Sequence, residues 1–285
     1  MSEMSNAKPK TSKRKAAHLT EIVVVGTNDD GTNVERLLVM FASKVGKTYL
    51  SNFMPNDGGY LVETAYQQGL LRSESRNLFG RVMDLAARMC HREFALMLGR
   101  IMNKKAQSEK SLNHWTYQEG GVKKTMVAIL AKVMANALKP GAKPAARNRL
   151  NAVILETLGV DVSTMQRGKE KPKDEKRDIM IRAMMPKYFV GNQPTKLGEL
   201  LMSTKEAYLM EFGRSSKPDS LWTGKVNPDT RHIVGQNLCG ECLMAVRETI
   251  RGKLARKEKE DEESPSKKRK ASQGEAHQVI DLTSD

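Results

Sequence analysis

The sequence predicts a mainly α-helical domain with a small β-hairpin element, set between a disordered basic N-terminal tail and a disordered charged C-terminal tail. Three observations carry that expectation. Apolar residues recur at spacings of three and four over several long stretches, which is the helical period. The clearest β-branched run falls early, between Glu21 and Ala42. Aromatic residues are only 5% of the chain against 28% charged, so the core must be built from Leu, Val, Ala and the 17 methionines, whose unbranched side chains fill irregular gaps. A chain of 285 residues is long enough for one generous domain plus tails.

Residues 1–20 are rich in Ser, Lys and Ala, carry the basic cluster Lys13-Arg14-Lys15, and lack the apolar spacing needed to bury anything. Strands are expected over Glu21–Thr27 and Arg36–Ala42, joined by Asn-Asp-Asp-Gly-Thr-Asn as a hairpin turning at Gly31. From Leu78 to Met102 the apolar positions keep a helical period that shifts phase near His91, predicting two helices or one bent helix. A second stripe, Val122, Met126, Ile129, Val133 and Ala137, stops at Pro140-Gly141, and a third, Leu150, Ile154 and Leu158, stops at Gly159. Gln166–Lys176 has no apolar residue after Gln166 and reads as an exposed linker or loop. Final helices are expected over Asp178–Tyr188 and from Gln236 to about Lys257. The main domain thus spans residues 21–255, with a basic helical insert at about 103–176 and a second tail at 256–285.

A formal charge of +15 implies a polyanionic partner such as nucleic acid or a phosphate-bearing ligand. The charge is regional: Ile101–Lys187 holds 18 Lys or Arg against 8 Asp or Glu, a surplus of ten. Three cysteines, Cys90, Cys239 and Cys242, without a secretory leader or an apolar run of membrane-spanning length, point to a reducing intracellular setting, no membrane and no disulfide framework. Cys239-Gly-Glu-Cys242 has no second pair and the five histidines are scattered, so no metal ion or cofactor is expected. Gly46-Lys47-Thr48 lacks the glycine a phosphate loop needs, because Phe41 stands there.

The richest chemistry lies between Asp219 and Arg247, where a carboxylate, an indole and a glycine-asparagine turn precede an amphipathic helix. An indole at Trp222 can stack on a flat base. Asn237 can cap the helix whose free N–H groups would take a phosphate. Arg247 fits either a phosphate contact or a buried ion pair. Ser51 and Asn52 can reach ribose hydroxyls, and Gln67, four residues after Glu63, would share its helical face and orient it.

Taken in order, Tyr49-Leu50-Ser51-Asn52-Phe53, Glu63-Thr64-Ala65-Tyr66-Gln67, Met180 to Phe189 with Lys187, Leu200-Leu201 with Thr204 and Glu211, Asp219 with Trp222, and Gly235-Gln236-Asn237-Leu238-Cys239-Gly240 with Leu243-Met244 and Arg247 resemble the NADAR, or YbiA-like, family over about residues 38–252. That resemblance implies a mainly helical fold and hydrolysis of N-glycosidic bonds. The substrate would be ADP-ribose attached to guanine, or alternatively a phosphoribosylated pyrimidine of riboflavin synthesis. A non-catalytic module that binds ADP-ribose or modified nucleic acid is the alternative from another class.

Breaking a glycosidic C–N bond builds positive charge on the ribose, so the reaction needs one carboxylate near C1 and a second acid or base. The resemblance assigns these roles to Glu63 and Asp219, and substrate binding to Ser51, Asn52, Phe53, Gln67, Trp222, Asn237 and Arg247. The chain departs from the family pattern at Thr64, Leu70 and Thr223. Where members carry a lysine, Arg72, Lys44 or Lys47 must substitute for Leu70, or the protein binds without cleaving. In the C-terminal tail, Lys267-Lys268-Arg269-Lys270 resembles a nuclear import signal. Val279-Ile280-Asp281-Leu282-Thr283 resembles a SUMO-interacting motif, an aliphatic segment that adds a strand to a partner sheet. Together they predict a nuclear protein whose partners include SUMO and the import machinery.

Overall fold

The computed structural model describes residues 21–29, 32–41, 50–52, 60–103, 122–213 and 216–272. Among the described residues, eight helices and a few short strands make the fold mainly α with a small β element, as the apolar periods predict. Strands β1 (Glu21–Thr27) and β2 (Asn33–Phe41) pair antiparallel, with a bulge between Val24 and Gly26. The expected turn at Gly31 lies outside the described residues, and β2 begins three residues earlier than the apolar run suggests. A third strand, β5 (Tyr208–Glu211), joins β2 in parallel and so ties the start of the domain to its last third. It carries only four residues, too few for an alternating pattern to announce it.

Helix α1 (Val62–Gly69) is followed by α2 (Ser73–Arg88) and α3 (His91–Ile101), so the phase shift near His91 marks a break between two helices. Helices α4 (Val122–Leu138) and α5 (Pro144–Leu158) occupy the basic insert. Pro144 fits the first turn of α5, where its missing N–H has no intrahelical acceptor anyway, and Gly159 ends the helix in a left-handed conformation with φ of 66°. Four helices, α2 to α5, share one apolar cluster whose centre includes Phe79, Phe94, Leu98, Leu130, Met134 and Ile154. The insert therefore builds core and is no appended lobe.

The second cluster lies on the other side of α1, among α6 (Lys173–Tyr188), α7 (Lys196–Met202), β5 and α8 (Leu238–Ser272). Two short hairpins complete the chain, β3 (Phe189–Val190) with β4 (Gln193–Pro194), and β6 (Lys225–Val226) with β7 (Ile233–Val234). Gly240 lets the first turn of α8 lie against β5: a Cβ there would fall 1.9 Å from the Leu209 carbonyl oxygen.

Two boundaries differ from the sequence reading. The stretch 166–176 is no free linker: the Leu71 and Arg167 backbones form a bridge, the Gln166 N–H donates to Ser75 Oγ at 2.9 Å, and α6 already begins at Lys173. Polar residues here are held by the α1–α2 junction, a tertiary contact that local composition does not encode. Helix α8 also runs past the expected end near Lys257, because the Lys- and Glu-rich continuation keeps strong helix formers after the apolar stripe stops at Leu254. Among the described residues no helix is long and apolar enough to cross a membrane.

Candidate active site

Helix α1 places Glu63, Tyr66 and Gln67 at spacings of three and four, hence on one face. Glu63 is only 6% exposed, and Gln67 Nε2 donates to its Oε1 at 2.8 Å. Burial pushes the Glu63 carboxyl above the usual carboxylate range; the Gln67 bond and the charge of Lys132, reaching in from α4, act in the opposite sense. Gln67 thus orients Glu63 as the helical spacing predicts.

A second carboxyl responds to the first. Glu211, the last residue of β5, is likewise raised by burial; its bond from the Cys239 thiol and Lys132 oppose the rise, whereas the charge of Glu63 adds to it. Cys239 is buried at the start of α8 and also accepts from Asn52 Nδ2 at 3.3 Å, so one thiol links Asn52 to Glu211. Burial pushes this thiol up too, and it remains protonated. The Asn52 amide donates as well toward Met180 Sδ, at 3.5 Å. Its Oδ1 is buried with no hydrogen-bond partner among the described residues, which is costly unless something arrives to donate to it.

Lys187 closes the far side. Its side chain is fully buried near the end of α6, Nζ donates to the Ser51 carbonyl at 2.8 Å, and burial lowers its pKa to about 7. Tyr188 donates to the neighbouring Leu50 carbonyl at 3.2 Å, so α6 fixes the whole 50–52 segment through two side chains. The Glu63 N–H bonds the Asn52 carbonyl at 3.2 Å and joins that segment to the first turn of α1.

Trp222 is half-buried and meets Tyr66 edge to face, with ring centroids 5.2 Å apart and planes at 74°. Its carbonyl accepts from the Cys239 N–H at 3.3 Å, which seats the indole beside the start of α8. An aromatic wall thus stands one helical step from Glu63.

The structure brings together Ser51, Asn52, Glu63, Gln67 and Trp222, and sets three other expected residues apart. Asp219 is exposed on the loop ahead of Trp222, and no interaction joins it to Glu63 among the described residues. Asn237 is fully buried at φ 48°, but its side chain clamps β5: Oδ1 accepts from the Glu211 N–H at 3.0 Å and Nδ2 donates to the Leu209 carbonyl at 2.8 Å. It positions Glu211 instead of capping α8 for a phosphate.

Arg247 is 1% exposed and ties α8 to the turn after α7, donating to Thr204 Oγ1 at 2.8 Å and the Ala207 carbonyl at 3.0 Å, with Glu248 3.5 Å away. Of its two sequence readings, the buried structural one fits this geometry. Phe53 lies outside the described residues.

Sequence reasoning assigned no role to Glu211, Lys187 or Lys132. The first two stand in the quoted motifs, and a lysine between Pro186 and Tyr188 in an otherwise apolar helix end is the signal that could have singled one out. No family model matches this chain, and no curated protein or solved structure does either.

Proposed function

We propose that the protein is a NADAR-like N-glycosidase that hydrolyses the bond between ADP-ribose and guanine in modified nucleic acid. The observation that carries this reading is the buried Glu63 carboxyl, oriented by Gln67, pushed by burial above the usual carboxylate range and beside a second carboxyl, Glu211, on which its charge acts. A carboxyl whose pKa is raised toward neutrality is a general acid. Glu63 passes its proton to the leaving guanine nitrogen as the C–N bond breaks, and the electron pair of that bond leaves with the base. Water then adds to C1 of the ribose and releases one proton, which a carboxylate accepts.

Glu211 suits the second acid–base role first given to Asp219, because it is the half-buried carboxyl on which the Glu63 charge acts, whereas Asp219 is exposed. Asn52 Oδ1 offers an open acceptor to a ribose hydroxyl, and the Trp222–Tyr66 wall offers a face to the base. The excess of basic residues suits a substrate embedded in nucleic acid more than a free phosphoribosyl pyrimidine. The nuclear and SUMO-binding signals proposed for the tail put the enzyme where such a substrate would occur; Val279, Ile280 and Leu282 lie outside the described residues.

The test is to incubate wild type and Glu63→Gln with guanine-ADP-ribosylated DNA and, separately, with a phosphoribosylated pyrimidine. Release of ADP-ribose from the DNA by wild type alone supports the proposal. Binding without release by either protein would make it a reader module, cleavage of the pyrimidine alone would redirect the substrate, and inertness toward both would end the glycosidase reading.

A further inference from the structure

Two clefts of about 460 and 510 Å³ lie on the outer face of α1 and α2, away from Glu63, and they meet at Arg76. One follows α2 past Arg81, Asp84 and Arg88; the other runs between the α1–α2 junction and α6, past Arg72, Lys171 and Arg182. Six basic side chains face three acids, Asp84, Glu175 and Asp178, and Glu175 is occupied by Lys171 at 2.7 Å. Arg72, Arg81, Arg88 and Arg182 are exposed and make no hydrogen bond or ion pair with another described residue. Arg76 is oriented by long bonds to the Leu71 and Gly69 carbonyls, at 3.4 and 3.5 Å, where the two clefts join.

We propose that this arginine-lined groove binds the phosphate backbone of a nucleic-acid duplex. A guanidinium presents a planar fork that matches phosphate oxygens and carries its charge at every physiological pH. The groove follows α2 for roughly 24 Å at about 1.5 Å per residue, a length over which a duplex advances about seven base pairs at about 3.4 Å of axis each. None of the residues lining it is aromatic, so it has no platform on which unpaired bases could stack. It reads charge spacing without reading sequence, and a duplex suits it better than a single strand.

This binding claim goes beyond the glycosidase reading and stands without it.

The experiment measures anisotropy of a short, unmodified DNA duplex with the full-length protein at several salt concentrations. The variants are Arg81→Glu with Arg88→Glu, Arg72→Glu with Arg182→Glu, and a control pair outside the groove lining, halfway along α8, Arg256→Glu with Lys257→Glu. Each groove pair is expected to weaken binding by roughly tenfold or more and to reduce the slope of log affinity against log salt by about two. The control should stay within about threefold, since salt screens distant charge.

All variants should melt as wild type does, because the altered side chains are exposed; if a glutamate pair unfolds, the matching glutamine pair is read in the same way. Unchanged binding by the groove variants, an equal loss in the control, preference for single strands, or tighter binding to anionic vesicles than to the duplex would each overturn the proposal. The probe carries no ADP-ribose, so failure here and failure of the glycosidase reading are separate results.

Discussion

The two halves of this core are built on opposite principles. Among the described residues, the four-helix layer of α2 to α5 buries mainly Leu, Ile, Met, Val, Ala and Phe, with Ser75 and the unpartnered His91 Nε2 as its polar exceptions. Across α1, the layer of α6, β5 and α8 with the 50–52 segment buries Ser51, Asn52, Glu63, Gln67, Lys187, Asn237 and Arg247. Buried polar and ionisable groups oppose folding unless each is paired, and some of these are not, notably Asn52 Oδ1. One layer stores stability, and the other uses some of it to hold titratable groups out of water. The boundary is α1, whose Val62 and Tyr66 pack in the second cluster while Leu61 and Leu71, just outside its two ends, join the first.

The contrast is open to attack, beginning with the largest effect. Phe94→Ala, in the apolar layer, should lower unfolding free energy by about 3–5 kcal/mol in urea titration while leaving ligand affinity unchanged in the folded fraction. Loss of affinity out of proportion to unfolding would mean the two layers are not separable.

Glu63→Gln should do the reverse. Turnover should fall by roughly 10²- to 10⁴-fold, as expected when a general acid is removed. A carboxyl raised by folding contributes stability below its unfolded pKa and loses it as pH rises through the folded value; a glutamine at position 63 does not titrate, so stability relative to wild type should increase with pH across that window. Thermal melts at pH 4 and pH 8 check the sign, where about pH 4 lies near the unfolded glutamate value.

Lys187 has the opposite linkage. Folding lowers its pKa from 10.5 to about 7, so it contributes stability at high pH that is lost as pH falls toward 7. Wild type should therefore gain roughly 1.4 kcal/mol for each pH unit above 7, and Lys187→Met should abolish that gain. Denaturant titrations between about pH 7 and 8 read it, a range below the ordinary thiol titration near about 8.5. The smallest effect should come from Trp222→Ala, which removes the edge contact with Tyr66: about 1 kcal/mol of stability from that ring pair, with a larger proportional loss in base-containing ligands than in ribose phosphate.

The same division explains what was legible in the sequence. The apolar layer announced itself, because stripes such as Val122 to Ala137 repeat at the helical period and end at Pro140-Gly141 or Gly159. In the polar layer, neighbours come from distant segments: Glu211 and Glu63 are coupled across nearly 150 positions, and the thiol that links Asn52 to Glu211 belongs to a helix whose Cys-x-x-Cys reads as filling. Such groupings have no local period. Only motif order pointed to them, and it favoured Asp219, exposed in the fold, over the half-buried Glu211. Asn237 and Arg247 were singled out correctly as unusual, but their side chains satisfy the backbone around β5 and α7.

Everything proposed for the site depends on Glu63 binding its proton more tightly than an ordinary glutamate does. The direct measurement is a ¹³C NMR titration of the glutamate carboxyls in wild type and in Glu63→Gln. Glu63 and Glu211 should both titrate above 4.5, and removal of the Glu63 charge should bring the Glu211 midpoint down toward that value. A Glu63 midpoint at or below 4.5, or a Glu211 midpoint unmoved by Glu63→Gln, would contradict the reading of this layer as an acid-bearing site.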